Sequence, residues 1–148
     1  MYFRKNRSLY GILPVVIILI SAIILFSTQT KNLAVAGEMD NWSNPIYMEY
    51  WDESGAPPKM HVQHSIDLQA LQTMCSGIEL TCTKRLSSVP TPYIRLFTQT
   101  SNGDLIILTV SQDKTVIISL SSDESMHHTY WKTDSDELYT SLLAELDA

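Results

Sequence analysis

The sequence is poor in cysteine, glycine and positive charge, and each scarcity excludes something. Two cysteines among 148 residues cannot staple a disulfide-dense scaffold or supply a four-thiolate zinc site. Cys75 and Cys82 also lack the CxxC spacing of a redox centre. Five glycines form no glycine-rich phosphate loop, and neither a GxSxG elbow nor an HExxH helix occurs. "SQDK", Ser111 to Lys114, matches the SxxK of serine acylases in letters, but it falls on a hairpin turn and not at a helix start. Asp123 and Glu124 stand beside His127 with no nucleophile positioned among them. The chain is therefore not expected to be an enzyme, and no cofactor is expected.

Positive charge is scarcest where the chain is longest. From Gly37 to Ala148 there are six lysines and arginines against all sixteen acidic residues, a net charge of −10. Nucleic acid and anionic surfaces need a basic footprint, so neither is expected as the main partner. Most of the remaining cations lie at the start: Arg4, Lys5 and Arg7 precede the apolar run Leu9 to Phe26. That run is near the length of a membrane span, and the charge bias places the N-terminus in the cytoplasm. A single-pass anchor over 9–26 is expected, with 1–8 as a cytoplasmic basic tail and the rest extracytoplasmic. The alternative is a signal-peptide core cut after Ala36, because Ala34 and Ala36 form the small-x-small pattern of a cleavage site. Retention is favoured, since the polar run Ser27 to Asn32 sets that site well beyond the apolar core.

Residues 27–44 are polar and without sustained period, as in a tether, and one domain is expected over 45–148. "PIYMEYW", Pro45 to Trp51, alternates as a half-buried strand. Ser65 is placed to cap a short helix from Ile66 to about Cys75, stopped by Gly77, and "IELTC" then alternates again. "YIRLFTQT" and "LIILTV" flank Asn102-Gly103, a hairpin signal for a type I′ turn, and "SQDK" turns into "TVIISL". Leu105 to Val110 is apolar enough to be central and covered on both faces. "HHTYW" reads as a further strand. Asp134 and Glu137 form a capping pair for a C-terminal helix with Leu138, Leu142 and Leu146 on one face. The fold class is α+β: an antiparallel meander of four or five strands, with the C-terminal helix and the short earlier helix packed on it.

The order of a short helix, Thr81, "SSVPTPYI", a meander ending at Tyr130 and a Leu138-Tyr139 helix resembles small membrane-anchored extracytoplasmic domains of unknown function from Gram-positive bacteria. The resemblance covers about Ile46 to Leu146. It implies a fold and a location, and no site residue.

Cys75 and Cys82, with six residues between them and on an oxidising side of a membrane, are expected to form a disulfide that pins the helix to the sheet. The four histidines lie in two pairs. His61, His64 and Asp67, with His128, are the candidate metal ligands, although adjacent His127 and His128 on a strand would face opposite ways. The expected role is non-catalytic, an anchored domain that binds or assists another cell-envelope component, with the membrane contacted through 9–26. Two other roles stay open: an extracytoplasmic ligand or metal sensor, and a small released inhibitor or immunity-type protein if Ala36 is cut.

Overall fold

The computed structural model describes residues 14–21, 30–52, 59–122 and 125–147, with backbone only for 59–64. In chain order the elements are helix α1 (14–21), strand β1 (Thr30–Asn32), helix α2 (Leu33–Ala36), a 3-10 turn (Met39–Asn41), β2 (Trp42–Asp52), β3 (Lys59–Ile66), helix α3 (Leu68–Cys75), β4 (Glu79–Cys82), β5 (Tyr93–Thr100), β6 (Leu105–Ser111), β7 (Thr115–Ser122), β8 (Ser125–Lys132) and helix α4 (Glu137–Leu146). The strands form one antiparallel sheet of order β1-β4-β8-β7-β6-β5-β2-β3. The architecture is thus α+β, as expected, but with eight strands instead of four or five.

The additional strands come from segments whose pattern is weak. β3 follows two prolines and pairs with the long β2, which reaches to Asp52. β1 lies in the stretch read as a tether and pairs with β4. That stretch is built into the fold: Leu33 and Met39 are fully buried, and the buried Trp42 donates from Nε1 to the Gly37 carbonyl at 2.8 Å.

The meander β5 to β8 needs only short turns. Gly103 takes φ +92°, and its N–H bonds the Thr100 carbonyl at 2.9 Å, so the first turn is a three-residue loop with one left-handed glycine and not the two-residue type I′ turn. In the second, Lys114 occupies the left-handed position at φ 69°.

Strand alternation sorts the side chains onto two faces. Met48, Ile94, Leu96, Leu108, Val116 and Ile118 face α3 and α4 and join Leu71, Cys75, Leu138 and Leu142 in the core. The helices begin one or two residues from their expected caps. Asp67, not Ser65, caps α3, accepting from the Gln69 N–H at 2.9 Å, because Ser65 and Ile66 are held in β3. At α4 the Ser135 hydroxyl accepts from the Glu137 N–H, and Asp136 is the boundary residue in place of Asp134.

Two expectations are overturned. Among the described residues no helix is long and apolar enough to cross a membrane. Only 14–21 of the segment 9–26 is described. The anchor reading therefore lacks structural support; Arg4, Lys5, Arg7 and the ends of the segment lie outside the described residues. The disulfide is also absent: both cysteines are free, Cys75 buried and Cys82 exposed. Cys75 turns with Leu71 into the core beneath α3, and Cys82 sits in the opposite surroundings on β4.

Candidate functional site

Residues 83–92, "TKRLSSVPTP", leave β4 next to β8 and re-enter the sheet at β5. Because β8, β7 and β6 lie between, the chain has to cross a face of the sheet, and it crosses the one without helices. Pro90 and Pro92 have no N–H to offer a ladder, which suits a strap better than a strand. The strap is tied at both ends. The Thr83 N–H donates to the Tyr130 carbonyl at 2.9 Å, and the Gln112 N–H donates to the Pro92 carbonyl at 3.0 Å.

Between strap and sheet is a cavity of about 330 Å³. Its floor is two neighbouring cross-strand rows. One runs Arg95, Thr109, Ile117, Tyr130 across β5 to β8, and the other runs Ile107, Ser119, His128 across β6 to β8. Its roof carries Arg85, Leu86 and Val89. Leu86 and Val89 are half-buried, turned toward the sheet. Thr109, Ile117 and Ser119 are buried, and His128 and Arg85 are exposed, so the cavity opens on the β8 side.

The polar groups are arranged in two places. At the mouth, Ser119 Oγ and His128 Nδ1 are 2.7 Å apart, and the His128 ring lies tilted against Tyr130 at 6.4 Å. A base of this kind is usually oriented by a third group on its second ring nitrogen, and among the described residues no side chain bonds to His128 Nε2. At the inner end, the Arg95 guanidinium stands 5.1 Å from the Tyr93 ring and 5.8 Å from the Trp51 ring, which stack on each other at 6.0 Å. One terminal nitrogen reaches Tyr93 Oη at 3.4 Å. Arg95 Nε is shut off from solvent and has no hydrogen-bond partner among the described residues. Among the described residues the lining carries two arginines and no carboxylate, in a chain with six more acidic than basic residues.

The expected site residues are placed elsewhere or apart. β3 sets His61 opposite Tyr50 and His64 opposite Met48, five strand steps from His128 in β8, about 24 Å at the usual spacing. Metal bonds of about 2.1 Å cannot join ligands so separated. Asp67 is occupied as the α3 cap, and no cluster of three metal-ligating side chains occurs among the described residues. His127 and His128 do face opposite ways, paired with Leu120 and Ser119. The Ala34 and Ala36 site lies inside α2, packed against the core, with the Leu33 N–H bonded to the Ile78 carbonyl at 2.9 Å. Burial pushes the Cys75 thiol up to about 12, away from reactivity.

Sequence reasoning missed Arg85, Arg95 and Ser119. A signal existed for Arg95, a cation alternating with Tyr93 and Phe97 on the face opposite Ile94 and Leu96.

A second groove of about 390 Å³ lies at the other end of the same face, lined by Tyr47, Phe97 and Leu105, with Tyr47 47% and Leu105 36% exposed. No family model matches the chain, and no curated protein or solved structure shows significant similarity to it.

Proposed function

We propose that this domain is a non-catalytic receptor for a small molecule, held between the strap 83–92 and the helix-free face of the sheet. The observation that carries this is the cavity itself: about 330 Å³, with a buried floor, an exposed mouth and polar groups at both ends. Its size is at the lower end of the range of ligand sites, and its mixture of apolar walls with few polar groups is the usual composition. This is the ligand-sensor role left open by the sequence, without its metal. An extracytoplasmic setting belongs to the same proposal and rests on the charge pattern of residues 4–31 alone.

The test is a fragment screen by backbone amide shifts on the full chain. Fragments that displace amides of 85–89 together with 107, 119 and 128 support the reading. A broad collection that leaves those amides unmoved overturns it.

A second reading draws on the Tyr47 and Leu105 groove, where exposed apolar side chains lie together. There the domain would bind or assist another envelope component, as the composition first indicated. Crosslinking from position 47 in intact cells tests it, and the absence of any protein adduct counts against it.

A further inference from the structure

We infer that the ligand of the strap cavity is a small carboxylate with an apolar body, its carboxylate bound at Arg95 and its body running under Leu86 and Val89 toward the mouth. This rests on the cavity being a binding site, and adds the chemical class.

Three features of the inner end converge on an anion. Arg95 is a half-buried cation, and Glu49, its cross-strand neighbour on β2, accepts from Trp51 Nε1 at 3.1 Å and forms no ion pair with it. Its Nε–H has no acceptor, although a buried charged donor left unmet is costly. Its plane is steadied by the stacked Tyr93 and Trp51, and Nε with a terminal nitrogen forms one edge of that plane. A carboxylate matches that edge with two parallel hydrogen bonds.

The remainder of the cavity decides what the carboxylate is attached to. Ile107 and Ile117 below, with Leu86 and Val89 above, form an apolar passage. Arg95 is three strand steps from His128, about 14 Å at the usual spacing. A lone inorganic ion at Arg95 would leave that passage unfilled, whereas an extended amphiphile fills it. The shape thus favours an organic acid over phosphate or chloride, and Arg85 at the mouth favours the approach of an anion.

Hexanoate, hexan-1-ol, acetate and inorganic phosphate are the probes, titrated into the full chain while amide shifts are followed. Saturable shifts with hexanoate at residues 86–89, 107 and 117 are expected, with hexan-1-ol, acetate and phosphate each at least tenfold weaker. Added salt should weaken hexanoate and leave hexan-1-ol unchanged. Arg95→Gln should remove the preference for hexanoate over hexan-1-ol while hexan-1-ol still binds, a result that also shows the variant to be folded. If Arg95→Gln does not fold, the ligand comparison and the salt dependence in the natural chain decide alone. Equal binding of hexanoate and hexan-1-ol in the cavity overturns the carboxylate and leaves the receptor reading standing. Tighter binding of phosphate overturns the organic acid. No shift with any of the four overturns this inference, and the receptor reading is then judged by the fragment screen.

Discussion

The two faces of the sheet are covered in different ways. Beneath α3 and α4, β5, β6 and β7 present Ile94, Leu96, Leu108, Val110 and Val116, all at most 1% exposed. On the other face the same strands present Arg95, Ile107, Thr109, Ile117 and Ser119, under ten residues of irregular strap. One face is filled by side chains that interdigitate; the other is roofed by a segment that leaves a space. Stability is concentrated on the first, and the second leaves the space that the proposed ligand would fill.

The comparison can be broken most severely from the N-terminal side. A chain beginning at Gly37 loses β1 and the fully buried Leu33, which belong to the helix-covered core. Its stability should drop by more than the 2 to 5 kcal/mol, roughly, of one buried leucine, and urea unfolding measures this. An unchanged midpoint would mean that β1 and Leu33 add nothing to that core.

Neighbours on β6 sharpen the contrast within one strand. Leu108→Ala should cost about 3 kcal/mol and Ile107→Ala about 1 kcal/mol, because Leu108 is enclosed and Ile107 is half-buried at the cavity. Equal losses would mean that the strap packs as tightly as the helices.

Thiol labelling reads the same difference chemically. Cys82 should react with iodoacetamide in the native chain, and Cys75 should react only on unfolding. Burial holds Cys75 neutral to about 12 against an ordinary 9.0. Its preference for the folded state is therefore complete below pH 9 and is lost as pH rises from 9 toward 12. Unfolding midpoints across that interval should fall less in Cys75→Ala than in the natural chain.

The smallest effect lies at the edge of the strapped face. Partial burial works to raise the Asp113 carboxyl, but hydrogen bonds from Lys132, at 2.9 Å, and Thr115 outweigh it and hold the group below its usual 3.8. Its contribution is present above that value and lost as pH falls below it. Both side chains are over 40% exposed, so Asp113→Asn should cost under about 0.5 kcal/mol near neutral pH.

What was legible in the sequence follows from how local each signal is. β5 to β8 were readable because alternation and turn residues act within ten positions, and α4 because its leucines share a stripe. β1 and β3 were not, since three residues without alternation and a segment behind two prolines acquire strand geometry only from their partners β4 and β2. The cavity was illegible for a similar reason. Arg95, Thr109, Ile117 and Tyr130 form one row only once the register of three strand pairs is set. The disulfide expectation failed because spacing alone does not tell which way Cys75 turns.

The separation of β2 from its partner has a kinetic consequence. Trp42 pairs with Thr100 and Trp51 with Tyr93, so β2 cannot join the sheet until some forty to sixty residues have been looped out, whereas β5 to β8 zip through short turns. Such non-local pairing belongs to chains that fold in milliseconds to seconds. The meander is the natural nucleus, and the elements paired across long loops, β2 with β5 and β4 with β8, dock onto it late.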